Sequence, residues 1–136
     1  MFCLMIFPDS HPRFIHYTGG GLQALAILGT PMDTIYFTHD DADFVLHYRD
    51  TNRDDHVYNE LATLIAYHVG YFDEGGQQVI RGSAIIALGN PNDPDNDLPI
   101  QHGSDEVDAL RQFMYEVGNS YEELYWLGTI PDWSRS

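Results

Sequence analysis

The sequence predicts a single α+β domain in which a mainly antiparallel sheet is covered by two or three helices. Three observations carry that prediction. The chain has 136 residues, 43% hydrophobic and 13% aromatic, enough for one self-sufficient core and too few for two. In VYNELATLIAYHVGYF, Val57, Leu61, Leu64, Ile65 and His68 or Val69 recur at helical spacing, so one apolar stripe faces a core. In QQVIRGSAIIALGN, Val79, Ile80, Ala84, Ile85, Ile86 and Leu88 place apolar residues on both faces of a strand, the mark of a central, covered one. The domain is expected over residues 1–130, with 131–136 as a flexible C-terminal tail.

Taken in order, FCLMIF at 2–7 reads as a buried strand, and the turn set from Pro8 to Pro12 leads to a second strand at 13–18, so the two make a hairpin. Gly19, Gly20 and Gly21 precede LQALAIL, in which Leu22, Leu25, Ala26 and Leu28 suit a short helix stopped by Gly29 and Pro31. The triple glycine reads first as a turn, since neither a Lys-Ser/Thr pair nor a GxGxxG spacing supports a phosphate cradle. Strands at 33–39 and 43–49 flank an acidic turn, with Ile35, Phe37, Phe44, Leu46 and Tyr48 on one face. Asp54 or Asp55 is expected to cap the helix at 57–69. Asp73, Glu74, Gly75 and Gly76 end that helix before the strand at 78–88.

The loop NPNDPDNDLPIQHG follows. Its Asp93, Asp95 and Asp97 have the alternate spacing that opens a calcium loop, but Leu98 and Ser104 stand where that loop needs glycine and glutamate. Ser104 and Asp105 cap a helix at 105–117 with Val107, Leu110, Phe113, Met114 and Val117 inward and Asp105, Asp108, Gln112 and Glu116 outward. Ser120 and Glu123 form a capping box for a last short helix, and Trp126 and Trp133 are apolar enough to dock.

Charge is the extreme property. Twenty-one acidic residues against six basic ones give a formal net charge of -15; all six basic residues are arginine. Such a field repels phosphates, so direct nucleic-acid binding is not expected and the partner should be basic, cationic or neutral. No apolar run is long enough for a membrane span, and MFCLMIFP lacks the basic start of an export signal, so a cytoplasmic location in the host cell is expected. Cys3, the lone cysteine, sits in an apolar strand and reads as buried rather than reactive.

The stretches CLMIFPDSHPRFIHY, GGLQALAILG, DTIYFTHDDADFVLHY, VYNELATLIAY and IRGSAIIALGNPND together resemble a family of small phage- and plasmid-encoded proteins, domain of unknown function 3846. The likeness covers residues 3 to about 93 and implies a mobile-element origin and the same α+β pattern. It brings no catalytic residues.

Three functions remain to be weighed. The sequence has no nucleophile with base and orienter, no HExxH and no zinc spacing among its seven histidines, so a non-enzymatic role without cofactor or metal is preferred. In that reading, the protein is an acidic accessory protein of a mobile element. Asp105, Asp108, Glu116, Glu122 and Glu123 form the face that engages a basic nucleic-acid-handling complex of the host, such as a defence system. The alternative is a homodimer or larger oligomer that sequesters a small nucleotide-like ligand near Gly19, Gly20, Gly21, Asn59 and Arg81. A metal-dependent hydrolase, with His47 and His56 flanking an aspartate-rich link, is the third.

Overall fold

A computed structural model describes residues 1–8, 11–50, 57–73 and 75–120. Five strands, β1 (Phe2–Ile6), β2 (Arg13–His16), β3 (Met32–His39), β4 (Ala42–Arg49) and β5 (Ala84–Leu88), form one antiparallel sheet in the order β2-β1-β5-β4-β3. Three helices, α1 (Gly21–Leu28), α2 (Glu60–His68) and α3 (Asp105–Ser120), complete the α+β fold. The strand read as central is central: β5 lies between β1 and β4, and Ala84, Ile85, Ile86 and Ala87 are all buried. Apolar residues on both of its faces follow from that position, because helices pack on each side.

Alternation sorts the side chains into two cores. Leu4, Ile6, Ile35, Phe37, Phe44, Leu46 and Ile86 point to one face, where Leu61 and Ile65 of α2 and Val107, Leu110, Phe113, Met114 and Val117 of α3 meet them. The inward stripe expected for 105–117 is thus the buried stripe of α3. Cys3, Met5, Val45, Ile85 and Ala87 point to the other face, with Tyr17 and Ala24 of the α1 region.

Several bounds and faces differ from the sequence reading; β2 ends at His16 rather than at 18, and α3 runs on to Ser120. The strand expected over 78–88 begins only at Ala84, because Gly82 adopts a left-handed φ of 79° and Arg81 bridges to Tyr58 instead of joining the sheet. The helix expected over 57–69 begins at Glu60, and its cap is Asn59, whose Oδ1 accepts from the Ala62 N–H at 3.1 Å. Asp54 and Asp55 lie outside the described residues, and Val57, expected in the stripe, is 60% exposed ahead of the helix. On α1, Ala24 rather than Leu22 is the buried residue, with Leu22 at the solvent face. A small residue fits there because the helix lies close over the sheet.

The β3–β4 hairpin closes through Asp40 and Asp41 at φ 50° and 63°. Two left-handed residues make the turn that matches strand twist, and aspartate tolerates that region better than most side chains. The expected acidic turn is therefore a two-residue hairpin loop. The closing capping box at Ser120–Glu123, Trp126, Trp133 and the tail at 131–136 lie outside the described residues.

Candidate functional site

The acidic face predicted on the last long helix is present as an exposed row. Asp105, Asp108 and Glu116 sit outward on α3, opposite the buried stripe; Glu122 and Glu123 lie outside the described residues. Arg111 pairs with Asp108 at 3.2 Å along the helix. At the other end of the row, the Glu116 carboxylate lies 3.5 Å from His39 Nδ1 and 3.9 Å from His68 Nε2, tying α3 to the end of β3 and to the end of α2. A shallow depression of about 350 Å³, lined by His39, Asp40, Gln112, Tyr115, Glu116 and Asn119, carries the row onto the hairpin turn. Acidic side chains from two elements thereby form one strip from Asp105 to Asp40.

The alternative ligand set is not brought together. Gly19 to Gly21 follow Tyr17, whose N–H donates to the Met1 carbonyl at the start of β1. Asn59 and Arg81 stand at the other end of that strand, where Asn59 Nδ2 donates to the carbonyls of Ile6 at 3.1 Å and Gly82 at 2.8 Å. Asn59 is fully buried and its amide is spent on β1, on the approach to β5 and on the α2 cap. Its role is to join three elements.

The triple glycine does bind an anion, and the anion belongs to the chain. The Gly20 N–H donates to Asp97 Oδ1 at 2.6 Å and to the Asp97 carbonyl at 3.1 Å. The Gly19 N–H and the Thr18 N–H donate to Gln23 Oε1 at 3.0 and 2.9 Å. A Cβ on Gly19 would stand 2.7 Å from the Asp97 carbonyl, so only glycine, here with φ 98°, lets the two backbones meet. Asp97 thus holds the place at the start of α1 that a phosphate would take.

Asp97 is also the centre of a buried network that the sequence did not disclose. Tyr17 Oη donates to its Oδ2 at 2.7 Å, and His47 Nε2 lies 2.8 Å from the same oxygen. His47 Nδ1 in turn lies 2.8 Å from Thr34 Oγ1. His47 and Asp97 are only 6% and 5% exposed. Burial acts to raise the Asp97 carboxyl, but the bonds from His47, Tyr17 and Gly20 outweigh it and hold the group below its ordinary value. With the carboxylate ionised, His47 Nε2 is the donor to Asp97, and the other ring nitrogen shares a hydrogen bond with the Thr34 hydroxyl. Burial first, and the Asp97 charge second, push the Cys3 thiol up to about 12, so it stays protonated.

The connectivity from Thr34 through His47 to Asp97 is that of an alcohol, a base and an orienting acid. The Thr34 N–H is taken by Asp33 Oδ1 at 2.8 Å, and His47 and Asp97 are buried beneath the surface. Asp97 spends its acceptors on fixing the 89–98 loop to α1 and β4. Asp93, expected alongside it in a calcium-like spacing, instead accepts from Asn96 Nδ2 at 2.7 Å. Among the described residues, no group of three or more His, Cys, Asp or Glu side chains could hold a metal ion, and no helix is long and apolar enough to cross a membrane. His56 lies outside the described residues.

Local signals for this network are faint. Tyr17 and Asp97 are 80 residues apart, and His47 is 50 from Asp97. The usable hint was a histidine in an otherwise apolar strand, which needs a polar partner once buried. No family model, no curated protein and no solved structure matches the chain.

Proposed function

We propose that the protein is an acidic, non-enzymatic accessory protein of a mobile element, phage or plasmid, which binds and inhibits a basic nucleic-acid-handling complex of its host. The observation that carries this reading is the exposed acidic strip along α3 and onto the β3–β4 turn. A net charge of -15 without a single lysine supports it, because such a field accelerates encounter with a basic channel and repels nucleic acid. The described arginines leave the strip largely acidic. Arg111 is paired within it, Arg13 stacks over Phe7 and Arg49 donates to the Thr30 carbonyl. The buried polar groups support a binding role as well, since Asn59 and Asp97 are committed to holding the fold.

Displacement of a fluorescent duplex from a basic host complex tests the reading. The protein should release the duplex at low salt and lose that ability at several-fold higher salt, as the Debye length contracts from about 10 Å at 0.1 M. The triple change Asp105→Asn, Asp108→Asn, Glu116→Gln should slow association about tenfold while leaving stability within about 0.5 kcal/mol. Unaltered association by the triple variant removes α3 from the interface.

A further inference from the structure

We propose that the outer edge of β3 receives an extended, lysine- or arginine-bearing segment of a partner protein as a sixth strand. The inference deepens the acidic-protein reading and rests on it for the sign of the partner's charge. β3 ends the sheet order, and no described strand pairs with its outer side. At eight residues it is a long edge, twice the length of β2 on the opposite side. Long flat edges with free backbone groups invite a further strand unless something blunts them.

The phase of the ladder identifies which groups are open. A two-residue hairpin turn makes its flanking residues, His39 and Ala42, a hydrogen-bonded pair, and such pairs recur at every second residue. The Asp50 N–H bonds to the Pro31 carbonyl at 2.8 Å, in step with that phase. The main-chain groups of Thr34, Tyr36 and Thr38 therefore point away from β4. Thr34 has its N–H satisfied by the Asp33 carboxylate at 2.8 Å. Among the described residues, Tyr36 and Thr38 keep both groups open, and both are exposed, Tyr36 to 60%.

Beside these two residues lies a groove of about 470 Å³, bounded by Tyr36, Thr38, Phe44, Pro91 and Pro94. Tyr36 Oη donates to the Pro94 carbonyl at 3.4 Å, and the proline-rich loop borders one side of the groove. A strand laid on β3 would turn every second side chain toward this face, so an apolar residue enters the groove while the main chain bonds Tyr36 and Thr38. The rim is acidic. Asp40 and Asp41 form the turn, Asp43 lines the groove, and Asp93 and Asp95 are exposed in the loop that carries the prolines. Basic side chains alternating with apolar ones match this surface.

The probe is a short synthetic peptide of alternating lysine and valine, with an N-methylated copy and a copy in which glutamate replaces lysine. Amide exchange at Tyr36 and Thr38 should slow about tenfold on adding the first peptide. The N-methylated copy, which cannot complete the ladder, and the glutamate copy should bind about tenfold more weakly or not at all. Thr38→Pro, tolerated on an edge whose N–H faces outward, should likewise abolish peptide binding. Equal binding of the N-methylated copy, or protection on α3 instead of β3, overturns the edge while leaving the acidic strip's own displacement test intact. Concentration-dependent protection of Tyr36 and Thr38 without peptide assigns the edge to a second copy of this chain and also overturns the proposal. Failure of the first peptide to bind at all does the same.

Discussion

The two faces of the sheet are held by different physics. On the α2/α3 face, large apolar side chains interlock: Phe37 stacks on Phe44 at 5.4 Å and on Phe113 at 4.7 Å between ring centroids. Burial of that kind is strong but nearly directionless, and it tolerates shifts in which residue meets which. On the α1 face, the helix buries only Ala24, too little apolar area to fix a position. There the directional bonds around Asp97 set the register among α1, β4 and the 89–98 loop. Apolar area holds the helices that cover the α2/α3 face, whereas polar bonds position the loop that borders the candidate peptide groove.

Adjacent residues of β5 allow the sharpest test, because Ile85 and Ile86 are both fully buried and face opposite cores. Ile86→Ala should cost about 4 kcal/mol and Ile85→Ala about 2 kcal/mol, since α1, which buries only Ala24, can settle toward a cavity more easily than α2 and α3, whose large side chains interlock. Chemical denaturation of both variants checks the order, and equal costs would show the α1 face to be as rigid as the other. Leu64, expected at sequence level to be equally central, is only half-buried and should cost less than either.

Next in size is the polar centre. Asp97→Asn keeps the shape but weakens the bonds from Tyr17, His47 and Gly20, which should cost about 1–3 kcal/mol. The folded carboxyl titrates below its ordinary value, so its contribution is complete above the unfolded value of about 4 and is lost as pH falls through the folded value. The gap between wild type and Asp97→Asn should therefore close as pH falls below about 4. A gap that persists unchanged in acid would mean that the carboxylate's charge is irrelevant to the face.

The smallest effect concerns backbone contact. Gly19→Ala places a methyl against the Asp97 carbonyl and forces a left-handed alanine, with an expected cost of about 1–2 kcal/mol. Amide exchange should show that loss concentrated in α1 and the 89–98 loop, with α2 and α3 undisturbed. A uniform loss across the sheet would erase the distinction between the faces.

The same contrast explains what was legible in the sequence. Periodicity reports apolar faces, so β1, β3, β4, the buried half of β5 and the inward stripe of α3 could all be read in advance. Periodicity also overran, because Val79 and Ile80 continue the apolar run past Gly82, where the backbone leaves the sheet. Polar convergence has no such period. Asp97 looked like one of three evenly spaced loop carboxylates, and only the tertiary fold turns it inward while Asp93 and Asp95 stay outside. Asn59 was read as a ligand candidate for a related reason: an asparagine ahead of a helix can cap it, and here the cap also binds the carbonyls of Ile6 in β1 and of Gly82 ahead of β5. The acidic row on α3 was legible because an exposed face needs no partner to be recognised.

The position of β5 also governs the order in which the chain can assemble. The hairpins β1–β2 and β3–β4 are local and close over short loops, but neither touches the other in the sheet. Both wait for β5, which pairs Leu4 with Ile86 across more than eighty residues of chain and Leu46 with the same residue on its other side. Hairpins form in microseconds, whereas long-range pairing must first meet the entropy of closing a large loop. During synthesis, until residues 84–88 emerge, β1 and β4 each expose an unpaired inner edge. Among the described strands, the last to arrive is thus the one that joins the two hairpins into one continuous sheet.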